Sequence, residues 1–131
     1  MPSIWTYSPA LMALYVAVNA LIVLMLNMLV SRAQARPADG TGAAERAALA
    51  HTASAEVLPI PLILMLTATS LGAASWLIHA IGAPLTLGQV LLGFGAAQNG
   101  SASFVRFSGR ILIWVSYIAG IVALIWLIFA R

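Results

Sequence analysis

The sequence predicts an all-α integral membrane protein: a four-helix bundle formed by a single domain over residues 1–131. Two observations predict this fold class. Hydrophobic residues make up 63% of the chain and charged residues only 7%, which is the composition of a polytopic membrane protein. In addition, four apolar segments can each be extended to the ~20 residues that a helix needs to cross a bilayer core ~30 Å thick.

The first two predicted spans differ in how clearly they are bounded. Residues 10–30 form an apolar run that is interrupted only by Asn19 and Asn27. The second span, about residues 56–72, is short by itself. Because residues 43–55 ahead of it are rich in alanine and contain no glycine or proline, we predict one long second helix that begins in water and continues into the membrane.

The third and fourth spans are predicted at residues 73–97 and 111–130. Pro84 lies inside the third span together with several glycines, but intramembrane helices tolerate both residue types, so we predict a kinked helix there. Glycine, proline, asparagine and aspartate in the connections 31–42 and 98–103 predict turns.

The arginines predict the orientation, because positive residues resist translocation and collect in cytoplasmic connections. Arg32, Arg36 and Arg46 fall between the first two spans, and Arg106 and Arg110 fall between the last two. With four spans, both connections face the cytoplasm and both termini lie on the outer side. A three-span chain would place the two clusters on opposite sides. The arginine-only, alanine-rich composition favours the cytoplasmic (inner) membrane of a bacterium.

Polar residues inside the spans are candidates for function, because an intramembrane polar group is costly. For Asn19, an interhelical hydrogen bond at a subunit contact is favoured over a functional role. His79 is expected to lie away from every other titratable group, so a hydrated histidine is favoured over a proton relay, and no metal site is predicted. The chain has no cysteine, which excludes thiolate chemistry by its own side chains.

Glycine and aromatic residues of the spans are interpreted as structural. Gly88 and Gly95 mark one side of the third span where another helix is expected to approach closely. Six of the seven tyrosines and tryptophans fall mostly towards span ends, where such rings anchor at the lipid headgroups rather than line a binding site. These aromatic residues are Trp5, Tyr7, Trp76, Trp114, Tyr117 and Trp126.

The alanine-rich start of the second helix carries a stripe of interest. On a helix that advances about 100° per residue, the stripe is charged at both ends and apolar between them, and His51 points away from it. Its members are Arg46, Leu49, Ala53 and Glu56. The stripe could bind an anionic, water-soluble ligand at the cytoplasmic side. Alternatively, its charged residues could form ion pairs that hold neighbouring helices together. Spacing alone favours the ion pairing.

Further motifs extend along the whole chain. They are Asn19, Asp39-Gly40, Glu45-Arg46-x-x-x-x-His51-x-x-x-x-Glu56-x-x-Pro59, Gly88-Gln89-Val90-Leu91-Leu92-Gly93-Phe94-Gly95 and Arg106-x-x-Gly109. Together with four spans in 131 residues, this pattern resembles the MAPEG family, the membrane-associated proteins in eicosanoid and glutathione metabolism.

The resemblance implies a homotrimer of four-helix subunits, with a glutathione site between neighbouring subunits near the cytoplasmic face. In active members an arginine at the start of the fourth span stabilises the glutathione thiolate, which attacks a lipophilic electrophile. Arg106 matches that arginine, and a positive neighbour favours the charged form of a thiol. The resemblance implies that further glutathione contacts come from Arg46, His51, Glu56, Gln89 and Arg110.

Five polar positions of the family pattern are replaced here by other residues. Leu49 and Ala53 stand where the family has an arginine and an asparagine. Gln89, Leu92 and Phe94 stand where it has an arginine, a histidine and a tyrosine. A hydrogen bond to a charged group contributes about 1.5 to 3 kcal/mol, so losing three of them would weaken glutathione binding by a few orders of magnitude.

Two functions from different classes follow. The first is a glutathione-dependent transferase or peroxidase with an altered site, in which Arg106 stabilises the thiolate while Arg46 and Glu56 hold the peptide. The second is a non-catalytic membrane scaffold, or an accessory subunit of a larger membrane complex. The expected partners are the lipid bilayer and other membrane protein chains, and no nucleic acid.

Overall fold

A computed structural model describes residues 8–37, 40–97 and 103–130. Over this part of the chain the fold is all-helical, as the sequence predicts. The helices are α1 (Ser8–Gln34), α2 (Ala43–Val57), α3 (Pro59–Ser70), α4 (Ser75–Ala97) and α5 (Ser103–Phe129). The turns predicted at Asp39 and at residues 98–102 fall outside the described residues.

Together α2 and α3 form the long second helix that the sequence predicts, divided at Leu58. Leu58 keeps right-handed helical φ and ψ angles of −74° and −40°. Pro59 and Pro61 lack the N–H group that would bond to the carbonyl four residues back, so the helical path continues while its hydrogen bonding is interrupted. Counted through this break, the described residues contain four helical stretches long and apolar enough to cross a membrane: Ser8–Gln34, Ala43–Ser70, Ser75–Gly95 and Phe104–Phe129.

These stretches alternate in direction, so the connections of the chain gather at two ends of the bundle. At one end, Ser8 Oγ donates a hydrogen bond of 2.6 Å to a backbone carbonyl in the α3–α4 turn. At the other end, Arg32 lines a groove with Phe94, and Gly95 packs against the side chain of Arg106. The arginines that follow α1 and those in the first turns of α5 therefore lie at the same end of the bundle, which we call the arginine end.

The central helix is α4, which packs against the other four helices. Its side towards α5 carries Gly88, where a β-carbon would lie 2.8 Å from the Gly109 carbonyl oxygen. At Gly95 a β-carbon would lie 3.0 Å from Val105 Cγ1. The predicted close approach of a helix at Gly88 and Gly95 is thus confirmed, and the approaching helix is α5.

The helix α5 begins earlier in the chain than the predicted fourth span. The fourth span is predicted to begin at residue 111, with Arg106 and Arg110 in the preceding connection, whereas α5 begins at Ser103 and carries both arginines. Arginine has a high helix propensity, and apolar residues such as Phe104 accompany it here, so the charges do not end the helix.

Two polar residues of the predicted spans are paired inside the bundle. Asn19 Nδ2 donates to Thr86 Oγ1 of α4 over 2.9 Å, so an interhelical bond forms within one chain. The Tyr15 hydroxyl lies 2.7 Å from His79 Nδ1, which corrects the expectation that His79 is far from every titratable group. Gly82 makes this contact possible, because a β-carbon there would meet the Tyr15 ring at 2.5 Å.

Candidate functional site

An open groove brings together two of the residues predicted to bind a ligand, Glu56 and Arg110. It lies between the end of α2 and the first half of α5 and has a volume of about 650 Å³. Most of its other lining residues are apolar or aromatic, and they include Leu92, Trp114 and Tyr117. Both charged side chains are exposed. We call this feature the Glu56–Arg110 groove.

The interruption between α2 and α3 shapes one wall of the groove. Because Pro61 has no N–H, the Val57 carbonyl lacks the bond that it would accept within a continuous helix. The Tyr117 hydroxyl donates a long hydrogen bond of 3.4 Å to that carbonyl. This bond connects α5 to the helix break and keeps the Tyr117 ring at the groove.

Gln89, which the resemblance implicates in binding glutathione, forms a closed pair with Ser54. The Ser54 hydroxyl donates to Gln89 Oε1, and Gln89 Nε2 donates to the Ser54 carbonyl over 3.0 Å. Both residues have 0% exposed surface. In this arrangement Gln89 joins α4 to α2, and its contact with glutathione stays a prediction.

Arg46 lies at the start of α2, away from the Glu56–Arg110 groove. One of its terminal N–H groups donates to the Thr41 carbonyl. It lines a separate cleft between α1 and α2. Leu49, in the middle of the predicted stripe, is 65% exposed, so the stripe faces outward rather than into the bundle. His51 is half-buried on the same helix, and its role as a ligand contact stays a prediction.

Arg106, the predicted catalytic residue, does not line the groove and lies one helical turn closer to the arginine end. It is exposed on α5, four residues before Arg110. Residues at this spacing lie on the same side of a helix, with β-carbons ~5–6 Å apart. A ligand bound by Arg110 would therefore lie within one helical turn of Arg106.

Sequence reasoning interpreted Trp114 and Tyr117 as anchors at a membrane interface. Because α5 begins at Ser103, these two residues lie near the middle of the helix, and both line the groove. The signal that could have found them is their spacing of four and seven residues from Arg110, which places all three on one side of a helix.

No protein-family model, curated protein or solved structure matches the chain. The chemistry of the groove is therefore the guide to its ligand. A carboxylate and a guanidinium on one open surface suit a ligand with both an amine and a carboxylate, because each then gains a charge-assisted hydrogen bond. The neighbouring aromatic wall suits an apolar group.

Proposed function

We propose that this chain is an integral membrane protein of the MAPEG type that binds glutathione in the Glu56–Arg110 groove and conjugates it to lipophilic electrophiles. The main support for this proposal is the groove itself, which is lined by a carboxylate, a guanidinium and a set of apolar and aromatic side chains. Its volume of about 650 Å³ lies within the ~300–1,000 Å³ that is usual for small-molecule sites.

The four long apolar stretches support insertion into a membrane. Large apolar side chains on the outside of the bundle, such as Leu24 at 56% exposure and Ile118 at 62%, suit contact with lipid. In the proposed orientation the arginine end faces the cytoplasm of a bacterial inner membrane and both termini face outward. A homotrimer would close the open side of the groove with a neighbouring subunit.

In the proposed reaction Glu56 binds the α-amino group of glutathione and Arg110 binds a carboxylate. The thiol then extends towards Arg106, whose positive charge favours the thiolate, and the thiol proton passes to water. The electrophile enters from the bilayer along Trp114 and Ile118. The sulfur forms a bond to its electron-poor carbon, and the leaving group departs with the electron pair of the broken bond.

Glutathione is expected to raise the melting temperature of the detergent-purified protein. A ligand at 100 times its dissociation constant adds about 2.7 kcal/mol to the free energy of unfolding. Glu56→Gln and Arg110→Gln each remove a charged contact worth roughly 1.5 to 3 kcal/mol, so each is expected to weaken binding about ten- to hundredfold. Melting temperatures measured across a glutathione titration give both values.

Glu45→Gln is the matched control, because Glu45 is also an exposed acid of α2 but lines a different cavity. It is expected to keep the full glutathione-dependent shift. Arg106→Ala is expected to retain binding and to lower the rate at which glutathione displaces chloride from 1-chloro-2,4-dinitrobenzene. A parent protein with no shift at millimolar glutathione would contradict the proposal.

A second candidate function is a non-catalytic scaffold, alone or as an accessory subunit of a larger membrane complex. The buried pair between Gln89 and Ser54 favours it, because the pair uses for helix packing a residue that the resemblance implicates in binding. Leu92 adds an apolar wall where the family has a histidine. This candidate predicts no glutathione binding and co-purification with a membrane partner.

A further inference from the structure

The arginine end carries a second feature that is separate from the Glu56–Arg110 groove. It is a cleft of about 260 Å³ between α1 and α2, lined by Arg32, Arg36 and Arg46. The other lining residues among those described are Leu29 and alanines. The Glu45 carboxylate lies beside the cleft, since it and an Arg46 terminal nitrogen are both within 3.7 Å of the position of a Gly42 β-carbon. The described side chains at the cleft therefore carry three positive charges and one negative charge. An anion is the complementary ligand.

The Arg46 side chain is held at the wall of the cleft. One terminal N–H donates to the Thr41 carbonyl. The Arg46 Nε atom is buried and has no hydrogen-bond partner among the described residues. Because Nε is closed to solvent, an anion in the open cleft would contact the exposed side chains of Arg32 and Arg36, with the positive charge of Arg46 beside it.

An apolar groove continues from the cleft along α1. It has a volume of about 280 Å³ and is lined by Met25, Met28, Leu29, Arg32 and Phe94. Leu29 and Arg32 line both the cleft and this groove. Met25 and Met28 are 46% and 50% exposed. Methionine is flexible and fills irregular contacts, which suits a mobile hydrocarbon chain.

We infer that the cleft and the apolar groove together form a site for an anionic phospholipid. The arginines bind its phosphate, since a guanidinium matches phosphate geometry with two parallel hydrogen bonds. One acyl chain lies along Met25, Met28 and Phe94. Arg32 follows the apolar stretch of α1 directly, so the proposed membrane placement puts the cleft at headgroup depth. The inference uses that placement and is independent of glutathione binding.

The test uses delipidated protein in a neutral detergent, with dioleoyl phosphatidylglycerol or dioleoyl phosphatidylcholine added. Phosphatidylglycerol is expected to raise the melting temperature, and phosphatidylcholine is not. Each arginine near a charged lipid contributes roughly a fivefold change in affinity. The double substitution Arg32→Gln/Arg36→Gln is therefore expected to weaken the lipid effect about 25-fold.

Two variants separate a lipid site from general effects of charge. Arg32→Lys/Arg36→Lys keeps the charges but loses the paired guanidinium hydrogen bonds, so it is expected to keep only part of the shift, more than the glutamine variant keeps. Arg110→Gln removes an arginine from the other groove and is expected to keep all of it. If the glutamine variant does not fold, native mass spectrometry tests the inference instead. It counts the phosphatidylglycerol molecules retained by the parent protein and by the lysine variant.

Several outcomes would overturn the inference. They are an equal shift with both lipids, a full shift with inorganic phosphate or glycerol phosphate alone, and a parent protein that retains no phosphatidylglycerol. The two soluble anions would indicate a site without an acyl chain. Glutathione titration of Arg32→Gln/Arg36→Gln keeps the two proposals distinguishable, because this variant is expected to keep the glutathione shift while it loses the lipid shift.

Discussion

Gly109→Ala is expected to be among the most destabilising single substitutions in this chain. A β-carbon at position 109 would lie 2.8 Å from the Leu92 amide nitrogen and 2.9 Å from the Gly88 carbonyl oxygen. Both are backbone atoms of the central helix, so relief requires α4 and α5 to move apart. Overpacking of this kind costs about 1 to 3 kcal/mol or more. Thermal or denaturant unfolding in detergent measures the loss.

Gly93→Ala is the matched control for this prediction. Gly93 also lies on α4, but its β-carbon would meet a side-chain atom, Leu26 Cδ1, at 2.7 Å, rather than backbone. Leu26 is buried, so it must shift within the core, but the two helices need not move apart. The loss at position 93 should therefore be smaller than the loss at position 109. Equal losses at positions 93 and 109 would contradict the close packing of α4 against α5.

Ser54→Ala is expected to destabilise the protein by about 1 to 3 kcal/mol, the cost of leaving a buried polar group without its partner. The substitution removes the hydroxyl that donates to Gln89 Oε1. The amide oxygen then remains in an interior of low dielectric constant, where an unpaired acceptor is costly. The free energy of unfolding in detergent is the measurement.

The double substitution Ser54→Ala/Gln89→Leu is expected to recover most of that loss, because apolar groups then replace both partners. Comparison with the single variants isolates the coupling between the two residues. Ser108→Ala is the control, since the Ser108 hydroxyl bonds only to a carbonyl of its own helix, over 2.9 Å. If Ser54→Ala costs no more than Ser108→Ala, the buried pair does not stabilise the fold.

Local features of the sequence were enough to predict most helices. The alanine-rich segment 43–55 has no helix breaker, and it forms α2 as expected. The helix α5 begins at Ser103, before the predicted start of the fourth span at residue 111, so Arg106 and Arg110 lie on the helix. Phe104, Val105 and Phe107 continue the apolar pattern through those charges.

Contacts between residues far apart in the chain could not be predicted from the sequence. Ser54 and Gln89 are 35 positions apart, and Tyr15 and His79 are 64 positions apart. Each pair depends on the rotation and register of two packed helices, which no local pattern specifies. The family resemblance singled out Glu56 and Arg110 separately, and the structure places them on one groove.

In the proposed topology, four helical stretches cross a bilayer and the arginine end lies in one compartment. The chain has no cysteine, so single cysteines can be introduced at exposed positions and labelled in spheroplasts with a membrane-impermeant maleimide. Ser70→Cys, at the opposite end, is expected to react in intact spheroplasts. Gln34→Cys and Phe104→Cys, at the arginine end, are expected to react only after permeabilisation. Labelling of Gln34→Cys and Phe104→Cys from opposite sides of the membrane would contradict the account.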